Sequence, residues 1–303
     1  MGGDRKEARL TNIKKKTIYI AIKELNKEGY SILALCSFAG ISRSSYYRWL
    51  NKVETVADKE NIVILDEIIK IYNEVNGIYG YRRITMNVNR ILGKCYNHKR
   101  IYRLMKSVNL QSVIRKKRKK YIKSIPQITA ENILNRNFIE ASPNKKWLTD
   151  VTEFKLANGA KAYLSAILDL GDNSIVSYAL GHSNNNQLVF DTFDLAIQNN
   201  PTAKPLFHSD RGFQYTSKVF KLKLDNISAT QSMSRVGRCI DNGPMEGFWG
   251  IIKSEMYYLR KFNTFDELKL AIDNYINFYN NKRLQKKLKG LAPIEYREQT
   301  LVA

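Results

Sequence analysis

"KWLTDVTEFKLANGAKAYLSAILDL", residues 146–170, decides the architecture. KWLTDVTEFKL alternates and is rich in β-formers, which predicts a strand. Asn158-Gly159 is a hairpin turn, and KAYLSAILDL is a second strand. Working outward, SIVSYALGH (174–182) is a third strand and NQLVFDTFDLAIQNN (186–200) a helix. PLFHSD (205–210) is a short buried strand, TSKVFKLKLDN (216–226) a helix and ISATQSMS (227–234) a fifth strand. Residues 241–259 and the tail from 262 are helical, with Thr264 or Asp266 near the tail's cap. Hairpin-linked strands followed by alternating helix and strand predict an α/β fold: a mixed sheet with helices on both faces.

Upstream of residue 143 the pattern is all-helical. TIYIAIKELNK places Ile18, Ile22 and Leu25 on one face. YSILALCSFAGISRSSYYRWL (30–50) gives helix, Gly40 turn and a second helix capped by Ser42 or Ser44. That is the pattern of a helix-turn-helix or of a plain helical hairpin. On the first reading Arg43 and Arg48 contact DNA. NIVILDEIIKIYNEVN, YGYRRITMNVNRILG and NHKRIYRLMKSVNL are three further helices, the last capped by Asn97. Arg100 and Arg103, with Lys99 and Lys106, make its polar side either a groove-reading face or a solvated basic stripe. Arg115, Lys116, Lys117, Arg118, Lys119 and Lys120 follow as an unbroken basic run, read as a linker lying along phosphates. The division expected is 1–55 helix-turn-helix-like, 56–112 a second helical DNA-binding region, 113–142 basic linker, and 143–303 a catalytic core with a helical extension.

The chain of 303 residues carries a formal charge of +22. Up to residue 125 there are 28 Lys and Arg against 10 Asp and Glu; beyond it, 22 against 18. A basic front of this kind suits a polyanion, most simply nucleic acid. No apolar run is long enough for a membrane span, and no signal-peptide core follows the N-terminal charges. Cys36, Cys95 and Cys239 are far apart, which argues against a disulfide framework or a zinc site. A cytoplasmic, nucleoid-associated location is expected.

Three carboxylates stand out. Asp150 lies inside the first strand, on the face of Leu148 and Thr152. Asp210 falls just past the "LFHSD" strand, where open sheets place ligands, and Glu246 opens the helix DNGPMEGFWGIIKSE (241–255). Carboxylates without histidine or cysteine partners suit a hard cation, Mg²⁺ or Mn²⁺. Two such ions can serve in-line phosphoryl transfer. Asp169, Asp172, Asp191, Asp194 and Asp241 compete, and each reads better as a cap or surface charge.

WLTDVTEF, FHSDRGFQYTS and DNGPMEGFWGIIKSE resemble the three acidic motifs of retroviral-type integrases and related bacterial transposases. Thirty-five residues separate Asp210 from Glu246, and Lys253 stands seven places after the glutamate, as in that group. SFAGISRSSYYRWL, YGYRRI and FYNNKRLQKKLKGLAPIEYR extend the resemblance, over nearly the whole chain, to second-frame transposases of the insertion-sequence three family. The resemblance implies a ribonuclease H-like core in which Asp150, Asp210 and Glu246 are catalytic and hold Mg²⁺ or Mn²⁺, as two ions. It implies strand cleavage and strand transfer at the ends of a mobile element, with terminal repeats and target DNA as partners. Lys253 would meet a phosphate, Gly247 and Gly250 would admit DNA, and His208, Arg211, Gln214 and Tyr215 would orient substrate. A homo-oligomer on DNA is implied, and the upstream-frame protein or its frameshift fusion as a further partner. The His-His-Cys-Cys zinc domain of viral integrases has no counterpart, since only His98 precedes the core. The competing readings are an inactive DNA-binding regulator and a ribonuclease H-like nuclease.

Overall fold

The computed structural model describes residues 17–51, 55–114, 131–235 and 239–302. The basic run Arg115–Lys120 lies outside them. The chain divides into two units, residues 1–66 and 67–303.

In the first unit, α1 (residues 17–27), α2 (Ile32–Phe38) and α3 (Arg43–Leu50) surround a small core of Ile22, Cys36 and Tyr46. Gly40 turns the chain at φ +65°, a left-handed conformation that glycine adopts without steric cost. Ser42, not Ser44, caps α3 by accepting from the Ser45 amide. Two aromatic residues of this helix, Tyr46 and Trp49, serve packing, Trp49 stacking on Tyr19 with ring centroids 5.5 Å apart, while Tyr47 is exposed. Arg43 and Arg48 remain exposed.

A long helix, α4 (Val56–Glu74), carries the chain into the second unit, where α5 (Tyr81–Leu92) and α6 (His98–Ser107) pack through Ile84, Val88, Ile101 and Met105. Asn97 caps α6, its side chain accepting from the Lys99 amide.

Five strands follow: β1 (Lys146–Lys155), β2 (Lys161–Asp169), β3 (Ile175–Gly181), β4 (Leu206–Ser209) and β5 (Thr230–Met233). Their order is β3-β2-β1-β4-β5, with β1–β2 and β2–β3 antiparallel and β1–β4 and β4–β5 parallel. Strand alternation sends Leu148, Phe154, Leu164 and Leu168 to one face. There they join α9 (Gly243–Glu255) and α10 (Phe265–Asn281) in one core. Trp147 and Ile167 point to the other face, against α7 (Asn186–Asn199) and α8 (Lys218–Asn226). A mixed sheet covered on both faces is the ribonuclease H-like arrangement that the sequence predicts. Thr264 caps α10 in a full capping box with Glu267.

Two acids expected as caps or surface charges are buried, each accepting from a backbone amide two residues on. Asp169 and Asp172 have no exposed surface, and Arg297 of α11 (Pro293–Val302) bonds both. The Trp147 indole and the Asn144 amide also donate to Asp169. Burial and the neighbouring Asp172 raise Asp169 to about 6. Truncating Arg297 strands two buried carboxylates without their cation. Arg297→Met is therefore expected to cost about 3–5 kcal/mol, read as a lower denaturant midpoint. An unchanged midpoint would show that Arg297 does not hold the pair.

Candidate active site

The parallel register of β1 with β4 sets Leu148 opposite His208. Two residues further along each chain come Asp150 and Asp210, so neighbouring strands, about 4.8 Å apart, deliver both acids to one end of the sheet. Asp150 shares its face with Leu148 and Thr152, as alternation predicts. Its Oδ2 accepts from the Trp249 indole at 3.0 Å and its Oδ1 from the Val151 amide at 2.8 Å. Burial, then the charge of Asp210, then that of Glu246 raise the Asp150 carboxyl to about 6 against its usual 3.8. Asp210 sits in the turn after β4, its Oδ1 accepting from the Gly212 amide at 2.9 Å. Part of its surface is open, yet enough protein surrounds it for desolvation to raise its pKa. Gly212 is crowded by side chains and not constrained by its φ. A Cβ there would lie 2.8 Å from Gln214 Oε1 and 3.0 Å from Asp210 Oδ1.

Glu246 occupies the exposed first turn of α9. The start of that helix is fixed by Asp241, a residue expected as a cap or surface charge, which is buried. Arg235 reaches it through Nε and Nη2 at 2.9 and 3.0 Å, and Arg136 through Nε at 2.7 Å. These guanidiniums hold its carboxyl far below the usual range. Asn242 then donates to the Thr149 carbonyl, tying the helix start to β1. Gly247 and Gly250 face open space, with nothing within 4 Å of a Cβ at either. Among the described residues no packing asks for them.

Asp150 thus lies within electrostatic reach of Asp210 and Glu246. Among the described residues no three His, Cys, Asp or Glu side chains are gathered closely enough to hold a metal ion. Carboxylates of like charge resist closing on one another without a cation.

Several expected DNA contacts are corrected. His208 is fully buried between β4 and β5, its ring nitrogens bonded to Ser232 and Ser234 Oγ at 2.9 and 3.1 Å. Burial lowers its pKa to about 4, so it is neutral and out of reach of solvent. Gln214 is buried against Asn184. Tyr215 is a core residue beneath the acids, its hydroxyl 3.2 Å from Thr149 Oγ1. Arg211 donates through Nε to the Ser234 carbonyl and braces the turn. Lys253 lies half-buried over the Phe154 ring and donates to Thr152 Oγ1 at 2.7 Å, with desolvation lowering its pKa. On α6, Arg103 is exposed and Arg100 lies over the Tyr96 ring. The sequence reading missed Trp249 and Asn242, although both stand inside the stretch quoted for Glu246.

Residues 140–239 and 246–301 match integrase core domain families, and residues 58–118 match an HTH-like domain. InsK, the transposase assigned to insertion sequence element IS150 of Escherichia coli, is 41% identical over 92% of this chain and 98% of its own length. The chain belongs to the insertion-sequence three family of DNA transposases. The transposase for insertion sequence element IS904 of Lactococcus lactis is 31% identical over 78% of this chain and 94% of its own. InsF, the transposase for insertion sequence IS3A of Escherichia coli, is 25% identical over 93% of this chain and 99% of its own. Among solved structures, the HTLV-2 integrase catalytic core domain in complex with magnesium superposes with a TM-score of 0.42 at 22% identity. It covers 52% of this chain and 97% of that one. The integrase core matches and the transposase relatives make this chain a polynucleotidyl transferase with an integrase-type core. Among its described residues no helix is long and apolar enough to cross a membrane.

The raised Asp150 carboxyl has a measurable consequence. Because the folded chain holds that proton more tightly than the unfolded one, stability from this group is lost as pH climbs from about 4 through 6. Asp150→Asn removes the penalty. In chelator-treated buffer it should raise the unfolding free energy by on the order of 2 kcal/mol at pH 7, and by almost nothing at pH 4. A variant no more stable than the parent at pH 7 would contradict the like-charge account.

Proposed function

We infer that Asp150, Asp210 and Glu246 are the reacting carboxylates of this transposase, cleaving a strand at the ends of its element and joining it to target DNA. The observation that carries this reading is Asp150. Burial and two like charges push it up, and its described hydrogen-bond donors, the Trp249 indole and the Val151 amide, carry no charge. A site so short of positive charge, with only oxygen donors, fits one or two Mg²⁺ or Mn²⁺ ions. When bound, such ions supply Lewis acidity to the attacking and leaving oxygens of an in-line displacement.

The chain's own residues orient the groups that hold them. Trp249 and the Val151 amide fix the Asp150 carboxylate, and the Gly212 amide fixes that of Asp210. Asp241 holds the start of α9, from which Glu246 projects. Hydrolysis breaks the scissile P–O bond and leaves a 3′-hydroxyl. Transfer uses that hydroxyl to attack a target phosphorus, with the target strand's 3′-oxygen leaving. Arg43, Arg48 and Arg103, exposed on α3 and α6, with the run Arg115–Lys120, would hold terminal-repeat DNA. Arg100, Lys253 and Arg211 would act through the side chains and loops they brace. Function at two ends calls for a homo-oligomer on DNA at the nucleoid, with the upstream-frame protein or its fusion as a further partner.

The test is strand transfer with labelled duplex carrying the element's own terminal repeats in Mg²⁺, Mn²⁺ or EDTA. Wild type should join strands only with metal. Glu246→Gln should lose at least about a hundredfold in joining while binding the duplex with near-parental affinity. Joining retained by the variant would refute the assignment.

A further inference from the structure

A groove of about 710 Å³ opens where α5 and α6 begin, against the 284–286 stretch of the C-terminal extension. Its mouth carries Arg82 and Lys286, both exposed, and neither is in an ion pair among the described residues. His98 and Arg83 also line it, and none of the described lining residues is acidic. Tyr81 supplies an aromatic wall. Its ring meets Tyr102 edge-on at 5.2 Å and lies 6.0 Å from His98, with the Arg82 guanidinium 5.7 Å over it. Unpaired cations beside a buttressed aromatic ring are the two features that a nucleic-acid strand uses, one for phosphates and one for a base or sugar face.

The floor of the groove connects to the catalytic helix. Arg83 reaches Glu255 at 3.4 Å, and Glu255 is also gripped by Arg283 at 2.7 and 2.9 Å. Glu255 ends α9, nine residues after Glu246. At 1.5 Å per residue that is roughly 13 Å, or about four nucleotide steps of ~3.4 Å. Between the two acids α9 shows the open faces of Gly247 and Gly250. We propose that this groove binds a DNA strand, with its phosphates between Arg82 and Lys286 and a base or sugar on Tyr81, a few nucleotides from the phosphate that reacts. The proposal rests on the reading of Asp150, Asp210 and Glu246 as the reacting carboxylates.

The experiment uses the full chain and fluorescein-labelled terminal-repeat duplex, either blunt or with a five-nucleotide single-stranded end, followed by anisotropy over a salt series. Arg82 and Lys286 are exposed, so Arg82→Ala/Lys286→Ala should fold normally. It is expected to flatten the slope of log K against log salt by about 1.8, two phosphate contacts at ~0.9 each. Tyr81→Ala should leave that slope unchanged and weaken binding about 5- to 150-fold, with Tyr81→Phe restoring it. Loss confined to the single-stranded end assigns the groove to an unpaired strand; equal loss on both DNAs assigns it to duplex. A double variant with the parental slope, in a chain that binds and joins DNA, would overturn the groove alone. A wild-type chain that binds neither DNA would overturn the groove and the transposase reading together.

Discussion

Parallel pairing of β1 with β4 is the constraint on which the site depends. β1 is the central strand, bonded to β2 on one side and β4 on the other, and it separates the two cores. A slip of one residue would turn Leu148 out of one core and Trp147 out of the other, so the register is held by burial on both faces at once. The same register sets Asp150 level with Asp210. The positions of two acids therefore follow from the packing of residues that never touch substrate.

The third acid is placed differently. Glu246 belongs to a helix, and α9 is anchored at both ends by buried ion clusters rather than by its own propensity. Asp241 before it is gripped by Arg235 and Arg136, and Glu255 at its end by Arg283, Arg83 and the Tyr275 hydroxyl. Buried ion pairs add little net stability but penalise every other arrangement of the same groups. Here that specificity bears on a helix weakened by two exposed glycines, each costing about 1 kcal/mol relative to alanine. Arg83 and Arg90 extend the clamp to α5, since Arg90 makes a two-pronged pair with Glu295 of α11 at 2.6 and 2.8 Å. Helix α5 is thereby braced against α9 and α11.

Local signals made most of the fold legible. Alternation in β1 and β2, the caps at Ser42, Asn97 and Thr264, and the glycine turn at Gly40 each depend on a few neighbouring residues, and the structure realises them. Asp169, Asp172 and Asp241 were misread because their arginines are distant in sequence. Arg297 is 128 residues from Asp169, and Arg136 is 105 from Asp241. His208, Gln214 and Tyr215 were misread for the opposite reason: nearness to Asp210 in sequence suggested exposure to substrate. β4 is covered on both sides, however, and the turn after it folds back, so those three side chains point into protein while Asp210 points out. Trp249 could have been found from its spacing, because three residues after Glu246 on a helix lies on the neighbouring face.

The distribution of charge sets four arginine-paired acids apart from Asp150. Asp169, Asp172, Asp241 and Glu255 each meet at least one guanidinium, and the carboxyls of Asp241 and Glu255 fall below the usual range. Asp150 is less enclosed than these four, half-buried at the end of the sheet, and meets no guanidinium among the described residues. Lys253, whose ammonium feels the Asp150 charge, gives its hydrogen bond to Thr152 instead. Asp150 receives only neutral donors, which orient a carboxylate without discharging it. A fold that sets arginines against its fully buried acids, and gives Asp150 only neutral donors among the described residues, carries an electrostatic cost at this end of the sheet. A cation brought to this end of the sheet would relieve that cost, and a polyanionic substrate could be held there with it.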